Sequence, residues 1–137
     1  MADLLNWEPG MSVGVAILDE DHRRIMKAIN RLYSAMLEGA GKEALSETFH
    51  EMMVYINLHF ECEEELLEQT HYPDAAEQKA HHMAMAARLK EYRRKYEKDA
   101  SSVMPVEMLN FLKDWWLDHI MNLDRKYAAH LKAHGIK

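Results

Sequence analysis

His59 and Glu63 stand four residues apart in a long segment, 42 to 69, that contains neither Pro nor Gly. One turn of α-helix separates them, so both project from the same face. An imidazole and a carboxylate so placed form a metal-ligand pair, although the same spacing also serves solvated neighbours on a charged helix face. The surrounding pattern favours the first use. Phe49, Met52, Met53, Ile56, Phe60, Leu66 and Leu67 recur at steps of three and four and share a broad sector with the pair. Burying two such groups uncompensated is costly, and a cation holds both directly.

Three other segments offer donors of the same kind. His22 precedes Ile25, Met26, Ile29, Leu32 and Met36 along one face. His82 lies on a stripe with Gln78, Met85, Leu89, Tyr92 and Tyr96, while its neighbour His81 is turned away by about 100° and can only flank that face. His119 belongs to the stripe of Met108, Leu109, Leu112, Trp115, Trp116, Leu123, Tyr127 and Leu131. Asp124 follows five residues later, about 140° around an α-helix, so the two are expected to straddle a pair of cations with Asp124 bridging. Each residue alone could be a capping, core or solvated group. Four such explanations at once account for the chain less well than one buried dinuclear centre.

The elements that position these residues follow from punctuation. Residues 1–18, with Trp7, Pro9, Gly10 and Gly14, show no helical period and read as an extended arm whose Trp7, Val13, Val15, Ile17 and Leu18 cover the core. Helices are predicted over about 19–37, 42–69, 74–98 and 105–134. The first opens on Asp19-Glu20-Asp21 and stops at Gly39 and Gly41; Asp74 with Glu77 resembles a capping box; Pro105 suits a first helical turn. Short connections between long helices predict an all-α, up-down-up-down antiparallel four-helix bundle.

The 137 residues are expected to form a single domain, 1–137, burying roughly two-thirds of the unfolded surface. Eleven Met against five Gly and three Pro favour helices over strands. A net charge of −6, with only the short Arg93-Arg94-Lys95 cluster as a basic patch, argues against nucleic acid as a partner. The lone Cys62 fits a reducing compartment and is rotated about 100° from Glu63, away from the ligand pair. No run approaches the ~18 apolar residues of a membrane span and no signal segment opens the chain, so a cytoplasmic location is expected. His50, His71, His130 and His134 fall off the inner stripes and read as solvated. No obligate protein partner is inferred.

Taken together, Leu18-Asp19-Glu20-Asp21-His22, His59-Phe60-Glu61-Cys62-Glu63-Glu64-Glu65, Tyr72-Pro73-Asp74 followed by His82, and Asp114-Trp115-Trp116-Leu117-Asp118-His119-Ile120 with Asp124 resemble the hemerythrin family, specifically its stand-alone bacterial members. Trp7 and Ser12-Val13-Gly14-Val15 add to a likeness that spans nearly the whole chain. The resemblance implies two non-haem iron ions, oxo- or hydroxo-bridged, that bind dioxygen reversibly. By position, Glu63 and Asp124 would bridge, His22 and His59 would ligate one iron, and His82 and His119 the other. A further histidine is expected four residues before His82, where this chain has Gln78. Three outcomes are open: Gln78 binds through its amide oxygen, His81 swings in, or water takes the place; weakened or water-assisted coordination is the expectation. Trp116 stands where the family usually has a leucine facing the oxygen pocket, and its indole N–H is a possible donor to Gln78 or to a bound oxygen species.

At least four neutral imidazoles and two carboxylates stabilise high-valent iron less than a carboxylate-rich set does, which favours holding dioxygen over cleaving it. An oxygen carrier, store or sensor is therefore the first reading. The alternatives are a di-iron enzyme that reduces peroxide or nitric oxide, made possible by Gln78, and an iron storage or delivery protein.

Overall fold

The computed structural model describes residues 3–137, apart from the side chain of Met121; the first two residues of the expected arm lie outside it. Three helices, α1 (Ala16–Leu37), α2 (Gly41–Gln69) and α3 (Ala75–Lys98), precede a fourth that is continuous but not uniform. It runs as α4 (Pro105–Asp118), a six-residue π-helical turn (His119–Asp124) and α5 (Arg125–Ala133). Two single 3-10 turns, Pro9–Met11 and Ala100–Ser102, complete the described elements, which include no strand. The architecture is the antiparallel four-helix bundle expected from the punctuation. Among the described residues no helix is long and apolar enough to cross a membrane.

Apolar periodicity sorts the interior into layers. One cluster gathers Ile25, Ile29, Leu32, Phe49, Met52, Ile56, Phe60, Met85, Leu89, Met108, Leu112, Trp116 and Ile120, and a smaller one gathers Val13, Val15, Leu18, Leu67, Tyr127 and Leu131. The polar layer lies between them. Along α1, His22 falls between Leu18 and Ile25; along α2, Glu63 between Phe60 and Leu67; along the fourth helix, Asp124 between Ile120 and Tyr127. His22, Glu63 and Asp124 thus lie at the same level of the bundle on three of its helices.

The ends depart from the sequence reading in three places. α1 begins at Ala16, with Val15 as N-cap, rather than at the acidic run. Asp19 instead accepts from the Val13 N–H at 2.9 Å and from the Ser12 hydroxyl, pinning the arm to the first turn. Ile17, expected over the core, is 54 % exposed because the earlier helix start turns it outward. Asp74 is the N-cap of α3, but at φ −100 and ψ 23 it lacks the extended backbone from which a side chain reaches the first-turn amides, and it makes no capping bond. The capping box with Glu77 does not form. Further along the arm, Leu5 exchanges two hydrogen bonds with the buried Asn30 side chain, at 2.9 and 2.8 Å, and Trp7 is half-buried beneath the Arg23 guanidinium.

α1 and α2 end alike on different residues. After α1, Gly39 takes φ 79 and its N–H reaches Met36 O, while the Ala40 N–H reaches Ala35 O. After α2, His71 takes φ 55, its N–H reaches Glu68 O, and the Tyr72 N–H reaches Leu67 O. Both are Schellman closures, and the second places a β-carbon where glycine is normally required.

Candidate metal centre

His22 from α1, His59 and Glu63 from α2, His82 from α3, and His119 and Asp124 from the π-helical turn are each at most 2 % exposed. The histidines turn Nε2 inward. His22 Nε2 lies 2.9 Å from His59 Nε2 and 2.8 Å from Asp124 Oδ2; His119 Nε2 lies 2.9 Å from the same aspartate oxygen; His59 Nε2 lies 2.9 Å from Glu63 Oε2. Ligand atoms of His22, His59, Glu63, His119 and Asp124 all fall within 4.8 Å of one another. His82 approaches from the other side, with Nε2 3.1 Å from Glu63 Oε1.

This geometry revises the reading of His119 and Asp124. On an α-helix their five-residue separation would splay them, whereas an i→i+5 turn brings residues five apart nearly into line. The Arg125 N–H bonds back to Ile120 O in that wider pattern. His119 consequently converges on the same carboxylate oxygens as His22 and His59, while the resemblance pairs it with His82.

The outer nitrogens are held as well. His59 Nδ1 faces Asp21 Oδ2 at 3.3 Å and His82 Nδ1 faces Glu64 Oε2 at 3.2 Å, arrangements that fix the orientation of both rings. Phe60 stacks on the His82 ring with centroids 3.9 Å apart, and Trp115 stacks on His119 at 5.0 Å. The sequence reading assigned no such role to Asp21, Glu64, Phe60 or Trp115. The His82–Glu64 contact crosses between helices and gave no signal, whereas Trp115 stands four residues before His119 on the stripe already named, and that spacing could have paired them.

Burial alone would suppress charge on these imidazoles, and it does so for His22, whose pKa is lowered by desolvation and by the neighbouring His59. For His59 burial is outweighed by Glu63 and Asp21, which lift its pKa to about 9; for His119 burial is outweighed by Asp124 and Glu63, which lift it to about 10. Glu63 is held well below the usual carboxylate range against its own desolvation by His59, His119 and His82. Burial and the adjoining Glu63 and Asp124 carboxylates keep the Tyr127 phenol protonated.

A cation fits this cluster. His22 Nδ1, Glu63 Oε2, His119 Nε2, Asp124 Oδ2 and the Tyr127 hydroxyl are buried without an aligned hydrogen bond, although three of them have ion-pair neighbours. Of these, Glu63 Oε2, His119 Nε2 and Asp124 Oδ2 are the atoms that converge in the cluster as coordination requires, whereas His22 enters it through Nε2 and leaves Nδ1 outside.

The remaining side chains named from sequence fall out as follows. Gln78 points inward at 4 % exposure, its Nε2 2.7 Å from both Glu63 Oε1 and Asp124 Oδ1. His81 lies on the outer face of α3 with its side chain 49 % exposed, 3.8 Å from Glu77, so it does not swing in for the missing histidine. Trp116 is 1 % exposed, but its indole N–H donates to the His22 carbonyl at 3.1 Å and is thereby committed to bracing α1 against α4, not to Gln78 or a bound oxygen species. His130, read as solvated, is half-buried beside Tyr72, with Nε2 2.9 Å from Thr70 O.

Four helices enclosing a buried layer of imidazoles and carboxylates define a class, the helical-bundle proteins that hold cations between their helices. Residues 13–131 match the hemerythrin HHE cation binding domain, and the chain belongs to the hemerythrin family. It is 34 % identical over 131 residues to the bacteriohemerythrin of Stenotrophomonas maltophilia (strain R551-3), covering 96 % of this chain and 84 % of that protein. It is 27 % identical over 133 residues to the bacteriohemerythrin of Methylococcus capsulatus (strain ATCC 33009 / NCIMB 11132 / Bath), covering 95 % and 98 %. The crystal structure of wild-type hemerythrin shares the fold at a TM-score of 0.83 and 23 % identity, covering 93 % of this chain and 98 % of that one.

Proposed function

We propose that this chain is a non-haem di-iron protein that binds dioxygen reversibly, as a carrier, store or sensor. The observation that carries the reading is the donor balance: four buried imidazoles, His22, His59, His82 and His119, against two buried carboxylates, Glu63 and Asp124. Each carboxylate turns its two oxygens toward different neighbours, which supports a bridging role for both. Glu63 Oε2 faces His59 while Oε1 faces His82; Asp124 Oδ2 faces His22 and His119 while Oδ1 faces Gln78. Iron held by these six side chains would supply the reversible electron exchange that dioxygen binding requires. The protein's part is to fix the imidazoles through Asp21 and Glu64, to keep water away with Phe60, Trp115 and Trp116, and to keep a protonated phenol, Tyr127, in the same polar layer. A net charge of −6 and a single cysteine accord with a cytoplasmic protein whose partner is a small diatomic or peroxide ligand rather than nucleic acid.

The test is the visible spectrum of the protein loaded anaerobically with Fe(II), recorded on admitting air and after removing oxygen. A charge-transfer band that appears and then disappears is the expected result. An irreversible ferric spectrum overturns reversible carriage in favour of peroxide or nitric oxide reduction, or iron storage.

A further inference from the structure

The inference concerns Gln78, and it rests on the two-metal reading above. An amide nitrogen carries two protons, and Gln78 Nε2 has two acceptors at the same distance, Glu63 Oε1 and Asp124 Oδ1, both 2.7 Å away. The amide must face this way round, since its oxygen at that distance from two carboxylates would be repelled by both. Those two oxygens are the ones turned away from the convergence of His22, His59 and His119. With His82 Nε2, 3.1 Å from Glu63 Oε1, they are the donors left for a second cation. One NH2 group therefore satisfies both carboxylates at the place where that cation would sit.

We propose that Gln78 closes the second metal position by hydrogen bonding, so that the chain takes its first divalent cation much more tightly than its second. Filling the second position requires the amide to release both carboxylates, and turning over then offers the cation a neutral oxygen in place of an imidazole. A histidine at this position could not close it in the same way, because an imidazole nitrogen bears one proton and reaches one carboxylate at a time. The first position keeps five protein donors and does not depend on Gln78 for a ligand. The chain's departure from the family thus makes loading sequential.

The experiment is equilibrium titration of the metal-stripped full chain with Co(II) against a competing chelator, for the wild type, Gln78→His and Gln78→Leu, with Tm of each stripped protein. The wild type should bind one equivalent tightly and the second at least about 10–100-fold more weakly, the range that altering a supporting contact typically gives. Q78H should bind two equivalents within tenfold of each other. Q78L, which can neither ligate nor donate, should lower the Tm of the stripped protein without weakening the second site further. A Q78L second site weaker than wild type, with Tm unchanged, would show Gln78 to be only a poor ligand and overturn closure. If Q78L does not fold, the wild type and Q78H decide. Two equal equivalents in the wild type overturn closure and leave the di-iron reading intact. A single equivalent in both overturns closure and the two-metal reading together. Because Co(II) stoichiometry needs no oxygen, failure of reversible oxygenation alone leaves closure standing.

Discussion

At the scale of the residue, the centre is a contest between protons and cations for the same lone pairs. His59 at about 9 and His119 at about 10 are both charged at pH 7 when no cation is bound, so a divalent cation must displace about two protons to bind. Proton release on loading at pH 7 should be close to two per first cation, measurable with a pH indicator, and apparent affinity should climb with pH until it levels near 10. The same values give a stability prediction for the stripped protein. Both folded pKa values lie above the unfolded value of about 6.5, so their contribution is fully present below that pH and is lost as pH rises through about 9 and then about 10. The Tm of the stripped protein should therefore fall between pH 6.5 and 10, and that of the loaded protein should not. Individual donors were legible in the sequence because imidazoles and carboxylates on apolar stripes lack a cheap alternative. Their partners were not: the Asp21 and Glu64 contacts cross between helices, and Gln78 was visible only as a departure whose contacts spacing could not supply.

At the scale of the element, termini decide more than interiors. Gly39 and His71 perform the same closure after α1 and α2, and only one is suited to it. A residue with a β-carbon in the left-handed region costs about 1 kcal/mol relative to glycine, so His71→Gly should raise stability by about that amount and Gly39→Ala should lower it similarly, by urea unfolding of the stripped proteins. Equal effects of the same sign would refute the comparison. Helix existence was legible throughout from three- and four-residue periodicity. The start of α1 was misplaced because Asp19 serves the arm instead of the helix dipole, and a sequence does not show which neighbour a carboxylate will face. The π-helical turn was hidden for a similar reason. His119 and Asp124 were seen to be five apart, but α-helical geometry was applied to a segment that does not obey it.

At the scale of the whole molecule, the polar layer divides the core into two apolar clusters, and a cation held there would join α1, α2 and the fourth helix through their own side chains. Binding to the folded state alone stabilises it by mass action, about 4 kcal/mol when free metal exceeds its dissociation constant a thousandfold. Metal loading should raise Tm accordingly and a strong chelator should reverse the rise; a Tm indifferent to metal would count against a centre shared by all four helices. The bundle itself was legible because connections between the helices are short, and the family likeness agreed with it.

The wide turn at His119–Asp124 has a further consequence, in time rather than in space. Its backbone is held in the i→i+5 pattern while two of its side chains serve the cluster, so a bound cation and the turn would hold each other in place. Without metal, the amides of this stretch should open while α4 and α5 on either side remain closed, and hydrogen exchange should record a window of fast-exchanging positions in the middle of an otherwise slow helix. Loading should shut that window, so the exchange rate of a few backbone amides would report whether the ion is present.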